Sequence, residues 1–155
     1  MIKEGTKAPA FSLASVEGGE VSLAELKGKT VVLYFYPKDD TPGCTREACA
    51  FRDTQAKIEK AGALVFGVSP DSLAAHQKFK TKYKLNFPLL SDADKSVAKK
   101  FGAFGEKLMY GKKVIGMIRS TFVIDGSGFV RKVFPRVKVD GHADRVLSAL
   151  QELEG

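Results

Sequence analysis

Both cysteines of the chain, Cys44 and Cys49, lie in one short segment, PKDDTPGCTREACAF at 37–51. The segment follows the apolar run TVVLYFY at 30–36 and opens a charged helical pattern. Cys44 falls in the first turn of the helix that this pattern predicts. Free backbone N–H groups and the positive end of the helix dipole favour a thiolate at that position. The segment therefore predicts a reactive thiol at Cys44.

Two kinds of chemistry suit such a thiolate. As a nucleophile in acyl transfer it needs a histidine as general base, and neither His76 nor His142 has an obvious partner near this loop. As a nucleophile toward peroxide it needs no base once it is ionised. It then becomes a sulfenic acid, which condenses with a nearby thiol. The residues favour attack on peroxide.

Cys49 is the candidate for that second thiol. Five residues along an ideal helix separate the two Cα atoms by about 8.6 Å, whereas disulfides require Cα separations below roughly 7 Å. If Cys44 and Cys49 form a disulfide, the first turns of the helix must unwind. The alternative is that Cys49 is a small buried helix residue without a redox role.

The loop before Cys44 and one distant arginine offer further groups. Pro37 and Pro42 stiffen the loop, and the Thr41 hydroxyl is able to face either the sulfur or a substrate oxygen. Arg119, in GMIRSTFVID, stands at the entry to a predicted strand. It is either an exposed edge residue or a placed cation, and a thiolate site that requires a planar, permanently charged donor favours the second interpretation.

The elements that must position these groups have an α/β order. Strand 30–36, helix 43–61 and strand 63–69 form a βαβ unit with parallel strands. The remaining predictions are two short strands around a Gly-Gly turn within 11–23, a helix at 71–83 capped by Asp71 or Ser69, a strand at 87–92, a helix at 94–102, a Gly-rich loop at 103–116, a hairpin turning at 126–128, and an amphipathic helix at 141–155 with an apolar stripe that includes Leu153. Helices on the faces of the sheet and an antiparallel hairpin at one end follow from this order.

Composition limits the function classes. The chain has 155 residues, which fits a single domain at 1–155. Its net charge is +7, but no basic run is longer than two residues, which argues against specific nucleic-acid binding. Two cysteines are too few for a disulfide scaffold or an unaided zinc site, and the two histidines are expected to be solvated on helix surfaces. No apolar run predicts membrane insertion. The start lacks a secretory h-region, and a mature chain whose targeting segment has been removed would look the same. We expect a cytoplasmic protein.

These residues resemble a known family. Pro37, Thr41 and Cys44 reproduce the P-x-x-x-T-x-x-C signature of the peroxiredoxins, and Arg119 in R-S-T-F-V-I-D matches the second catalytic segment of that family. The G-C-T-x-E-A-C form, with Cys49 five residues on, is similar to the peroxiredoxin Q subgroup, also called bacterioferritin comigratory protein. The likeness runs from KAPAFSL to the last helix.

The resemblance implies a thioredoxin-like fold, with a central mixed sheet flanked by helices and an N-terminal β-hairpin extension. It also implies a peroxidase that reduces hydrogen peroxide and organic hydroperoxides without a cofactor or metal. Cys44 would be the peroxidatic cysteine and Cys49 the resolving one. Arg119 and Thr41 would hold the thiolate and the peroxide, and Pro37 would shield the pocket.

The resemblance carries three further expectations. Glu47 matches a family residue that orients its neighbours. Thioredoxin or a similar dithiol protein is the expected reductant, and the subgroup is often monomeric. The alternative function is a peroxide-sensing or chaperone-like redox protein without fast turnover, in which Cys44 reports oxidant. A thioredoxin-type disulfide reductase is disfavoured, because the two cysteines are not spaced C-x-x-C and the chain has no Trp.

Overall fold

The computed structural model describes residues 1–154. Its strands are β1 (Ser12–Ser15), β2 (Glu20–Ser22), β3 (Thr30–Phe35), β4 (Ala63–Ser69), β5 (Leu89–Ser91), β6 (Phe104–Met109), β7 (Lys112–Met117), β8 (Ser120–Ile124) and β9 (Val130–Phe134). Its α-helices are α1 (Pro42–Lys60), α2 (Leu73–Tyr83), α3 (Ser96–Phe101) and α4 (His142–Glu154), and a short 3-10 helix spans Leu23–Leu26.

Seven strands form one mixed sheet in the order β2-β1-β5-β4-β3-β8-β9. The central strands β3, β4 and β5 are parallel, while β1 and β8 pair antiparallel to their neighbours. The predicted βαβ unit is therefore confirmed, as is the thioredoxin-like arrangement with an N-terminal hairpin, β1–β2, and a second hairpin, β8–β9, at the far end.

The apolar run of β3 is buried on both faces because helices cover both sides of the sheet. Val32 and Tyr34 pack in a core cluster with α1, α2 and α4, and Val31 and Leu33 pack in a second cluster with α3 on the other face. A strand covered on both sides needs a continuous apolar sequence rather than an alternating one. The sequence of β3 meets that requirement.

The register between β3 and β8 brings the candidate site together. Phe35, the last residue of β3, lies opposite Ser120, the first residue of β8. Arg119 therefore stands just outside the sheet at the same edge where the chain leaves β3. The chain then passes through loop 36–41 and enters α1 at Pro42.

The prediction of a loop at 103–116 is wrong. β6 and β7 form a separate two-stranded antiparallel sheet, with Met109 opposite Lys112. Tyr110 and Gly111 make its two-residue turn, and both have positive φ, 53° and 78°, as a type I′ turn requires. The two strands are largely exposed, so no buried apolar face marks them in the sequence, and the glycines suggested a loop instead.

Two smaller predictions also fail. The cap of α2 is neither Asp71 nor Ser69: the Ser72 hydroxyl accepts a hydrogen bond from the Ala75 N–H at 3.2 Å, and the helix begins at Leu73. Leu153, placed on the apolar stripe of the last helix, is 37% exposed because it lies in the final turn.

Among the described residues, no helix combines the length and apolar character needed to cross a bilayer.

Candidate active site

Cys44 lies in the first turn of α1 and its side chain is buried. Pro42 occupies the first helical position, where its missing N–H costs no intrahelical hydrogen bond. The Thr45 N–H donates to the carbonyl of Thr41, the residue that precedes the helix, at 2.8 Å. The N–H groups of Gly43 and Cys44 precede that bond and so belong to the unpaired donors that every helix start presents. These donors and the helix dipole favour negative charge at this end of α1.

Arg119 connects the thiol to a buried carboxylate. Its Nη2 donates to Cys44 Sγ at 3.3 Å, and its Nη1 donates to Glu47 Oε1 at 2.7 Å. The Arg119 side chain is 18% exposed. The structure thus places this arginine as a fixed cation on the thiol, which is the second of the two interpretations that its position in the sequence allowed.

Glu47 lies three residues after Cys44 and so on the same face of α1. It is buried, and its Oε2 has no hydrogen-bond partner among the described residues. Burial raises the pKa of Glu47 to about 7, against the opposing effect of the Arg119 charge and hydrogen bond. Burial alone would lower the pKa of Arg119, but the charges of Glu47 and Cys44 outweigh it and the net shift is upward. The guanidinium is therefore charged at all physiological pH values.

Thr41 and Pro37 lie at the two ends of the loop that leads into α1. The Thr41 hydroxyl donates to the Lys38 carbonyl at 2.8 Å, so its hydrogen is used within the loop and its oxygen lone pairs are left to accept. Pro37 and Arg119 line an open cleft of about 680 Å³. The other walls of this cleft come from β6, β7 and the segment after β9, with Leu108, Met109, Met117, Ile118 and Val137 as its apolar residues and Lys107, Lys113 and Arg136 as its cations.

Cys49 is half-buried, and both cysteines are free thiols. Helix α1 continues without interruption across both positions. Because five residues of intact helix hold the Cα atoms about 8.6 Å apart, the two sulfurs are not at disulfide distance here. The segment therefore has the reduced, helical form that the sequence predicts.

A buried network that the sequence does not predict lies behind the loop. His76 Nδ1 lies 2.6 Å from Asp39 Oδ2, and the Asp39 N–H donates to Asp71 Oδ2 at 2.8 Å. The expectation that both histidines are solvated is wrong: each is at most 2% exposed. His76 lies on the core-facing side of α2, one turn before Phe79, and that spacing was the signal available in the sequence.

His142 is the second buried histidine. Its Nε2 hydrogen-bonds with Thr121 Oγ1 at 2.8 Å. Burial, followed by the positive charges of Arg145 and Arg119, lowers the pKa of His142 to about 4. It is therefore neutral at pH 7 and packs edge-on against Phe51 as part of the core.

The network around His76 does not fit a resident metal ion. Asp39, Asp71 and His76 offer ligand atoms within 4.8 Å of one another. The carboxylate and imidazole atoms concerned are already hydrogen-bonded to each other, to Ser69, to Tyr36 and to the Asp39 N–H. A cluster satisfied in this way has no need of a cation.

Comparison with known proteins agrees with this geometry. Residues 5–133 match the model of the AhpC/TSA family. A putative peroxiredoxin bcp of Coxiella burnetii is 54% identical over 149 residues, which is 96% of this chain and 99% of that protein. Peroxiredoxin Bcp of Bacillus subtilis is 45% identical over 152 residues, which is 98% of this chain and 97% of that protein.

Solved structures give the same result. The chain superposes on bacterioferritin comigratory protein of Xanthomonas campestris with a TM-score of 0.88 and 42% identity, over 94% of this chain and 92% of that one. It superposes on a PrxQ variant of Xylella fastidiosa with a TM-score of 0.89 and 34% identity, over 99% of each. With the family match spanning most of the sequence and these relatives matching nearly end to end, the chain belongs to the AhpC/TSA family, as a peroxiredoxin of the Bcp/PrxQ kind.

Proposed function

We propose that this thiol-dependent peroxidase reduces hydrogen peroxide and organic hydroperoxides at Cys44, with Cys49 as the resolving cysteine. The observation that carries the proposal is the bridge made by Arg119 between Cys44 Sγ and Glu47. A buried thiol with a permanent cation at 3.3 Å and free helix N–H groups is arranged to react as a thiolate. The same donors would stabilise the negative charge that develops on the departing oxygen.

The first step is attack of the Cys44 thiolate on the terminal oxygen of the hydroperoxide. A sulfur–oxygen bond forms and the oxygen–oxygen bond breaks. The departing oxygen takes a proton and leaves as water or an alcohol, and Cys44 becomes a sulfenic acid. Arg119 is able to stabilise both the thiolate and the charge on the leaving oxygen, because it presents several donors in a fixed plane.

The second step condenses the Cys49 thiol with the sulfenic acid. A disulfide forms and one water is released. Intact α1 keeps the Cα atoms about 8.6 Å apart, and a disulfide requires less than roughly 7 Å. The helix start between Cys44 and Cys49 must therefore unwind in every cycle.

The cleft that Arg119 lines supports the organic hydroperoxide part of the proposal. Its apolar wall from β6, β7 and the segment after β9 offers contact area for an alkyl group next to Arg119. The matching X. campestris protein is described through its alkyl peroxide reduction activity. An alkyl hydroperoxide would gain binding from that wall, whereas hydrogen peroxide has no alkyl group to bury there.

For the reductant we propose thioredoxin or a similar dithiol protein. An unwound segment that carries a disulfide exposes its sulfurs to an attacking thiolate. Both cysteines belong to one chain, so a monomer suffices for the cycle. A cytoplasmic location would keep these thiols reduced between oxidation events.

A coupled turnover assay tests the proposal. The protein is mixed with a hydroperoxide, thioredoxin, thioredoxin reductase and NADPH, and NADPH consumption is followed over many equivalents. We expect sustained turnover for the wild type and none for Cys44→Ser. The sensing alternative predicts that the wild type stalls after one equivalent of peroxide, and that result would replace the peroxidase proposal.

A further inference from the structure

Asp39 holds the middle of the active-site loop to the protein interior. Its Oδ1 accepts from the Tyr36 hydroxyl at 2.6 Å, its Oδ2 faces His76 Nδ1 at 2.6 Å, and its N–H donates to Asp71 Oδ2 at 2.8 Å. The Asp39 side chain is 5% exposed and that of His76 is fully buried. Such extensive burial of a loop carboxylate is costly unless each of its hydrogen bonds is made.

The hydrogen bonds of His76 define the charge of this pair. Its Nε2 lies 2.9 Å from the Leu90 carbonyl, which only accepts, so Nε2 carries a hydrogen. One more proton lies between Nδ1 and the Asp39 carboxylate. Whether that proton sits on nitrogen or on oxygen, the pair as a whole is neutral. Through these hydrogen bonds Asp39 and His76 form a buried clamp that joins the loop to helix α2 and to strand β5.

A second, exposed attachment lies one residue further on. Asp40 has a φ of 58°, unusual for a residue with a side chain. Its carboxylate accepts from Lys82 Nζ at 2.8 Å and from the Tyr83 hydroxyl at 2.6 Å. Consecutive loop residues are thus tied to the same helix, α2, immediately before α1 begins.

Resting on the function proposed above, we infer that Asp39 and His76 are positioning residues for the peroxide step. They fix loop 37–41, and with it Pro37 and Thr41, against α2 and β5. The hydrogen bond from Thr41 to the Lys38 carbonyl passes this constraint along the loop. The clamp lies outside the segment 44–49 that must unwind, so it stays closed while the disulfide forms. Loss of the clamp should therefore slow peroxide attack without slowing disulfide formation.

Single-turnover oxidation of two Asp39 variants tests the inference. In Asp39→Ala the loop loses its clamp, and a displacement of about 1 Å near reacting atoms lowers rates on the order of 10²-fold. In Asp39→Asn the amide is able to donate to Nδ1 of a neutral His76 while its oxygen accepts from Tyr36, so the clamp is rebuilt without its shared proton. We expect slow peroxide oxidation in the Ala variant, near wild-type oxidation in the Asn variant, and wild-type disulfide formation in both.

Asp92→Ala is the matched control. Asp92 is also a buried aspartate, but its carboxylate accepts from the Val97 and Ala98 N–H groups at the start of α3, on the other face of the sheet. It should lower the melting temperature while leaving the peroxide step unchanged. If it slowed that step as much as Asp39→Ala does, general destabilisation would explain both and the inference would fail.

The remaining outcomes are also decisive. Oxidation of Asp39→Ala at the wild-type rate, or of Asp39→Asn as slowly as Asp39→Ala, would overturn the positioning role. If Asp39→Ala does not fold, Tyr36→Phe removes one attachment only, and an unchanged peroxide rate there would overturn it as well. Failure of the wild type itself to react with peroxide would instead refute the proposed function.

Discussion

Arg119 makes two contacts that a lysine cannot reproduce together. Its two terminal nitrogens reach Cys44 Sγ and Glu47 Oε1 at the same time. The single ammonium of Arg119→Lys keeps the charge but loses the fixed fork of donors. We therefore predict that Arg119→Lys is nearly as damaging to the peroxide step as Arg119→Ala.

The expected magnitude follows from the contact that is lost. Removing one donor aimed at developing negative charge typically costs 10²–10³-fold in rate, or about 2.7–4 kcal/mol. Arg119→Ala should fall in that range and Arg119→Lys close to it. Arg119→Ala also leaves Glu47 buried without its cation, and loss of one partner from a buried ion pair costs about 3–5 kcal/mol unless the other group is neutralised. Protonation of Glu47 provides that neutralisation, since removing Arg119 takes away the charge and the hydrogen bond that lower its pKa.

Stopped-flow oxidation by a single equivalent of hydrogen peroxide measures the effect, with thermal unfolding as the check on stability. The double variant Arg119→Ala with Glu47→Gln is the matched control, because its neutral amide stands in for the protonated carboxyl and it should match Arg119→Ala in both stability and rate. A rate constant for Arg119→Lys close to that of the wild type would mean that charge alone suffices. The argument from a planar, two-contact donor would then be refuted.

Three further results are expected. The folded-state pKa of Glu47 is raised from 4.5 to about 7, so its contribution to stability is fully present below pH 4.5 and is lost as pH rises through 7. The melting temperature of the wild type should therefore fall between pH 5 and 8, and Glu47→Gln should remove that fall. An unchanged pH dependence in Glu47→Gln would contradict the raised pKa. Gly43→Ala should slow peroxide oxidation in rapid-mixing experiments, since a Cβ there would lie 3.2 Å from Arg119 Nη2. It should also slow disulfide formation, because Ala stabilises the helix start that must unwind. Wild-type rates for both steps would refute this. Amide hydrogen exchange across 42–52 should be faster in the disulfide form than in the reduced form, and equal protection in the two forms would exclude the unwinding step.

Much of the fold could be predicted because its strongest signals are local. The apolar run of β3, the helix that follows and the run of β4 define a parallel unit without any knowledge of tertiary contacts. The position of Cys44 at a helix start follows from the same order of elements. That Arg119 reaches this thiol could not be derived from spacing, since 75 residues separate the two and the register of β3 with β8 brings them together.

The sequence predictions that are wrong, the loop at 103–116 and the two surface histidines, fail for physical reasons. The β6–β7 hairpin packs little of its surface against the core, so its strands lack the alternation that identifies a half-buried strand, and Leu108 and Ile115 are more than 70% exposed. The sequence predicts His76 and His142 on the surface because the presence of a histidine alone says nothing about its burial. Their partners, Asp39 and Thr121, come from distant parts of the chain. Pairing at such separations is set by tertiary packing, which a single sequence does not display.

In the proposed mechanism Cys44 is oxidised first and Cys49 resolves it within the same chain. Mass-spectrometric peptide mapping of the reduced protein after one equivalent of hydrogen peroxide, with free thiols alkylated and no reductant added, tests this order of events. We expect one intramolecular Cys44–Cys49 disulfide in the wild type and a sulfenic acid at Cys44, trapped by a dimedone-type reagent, in Cys49→Ser. A sulfenic acid at Cys49, or disulfides that only join separate chains, would contradict it.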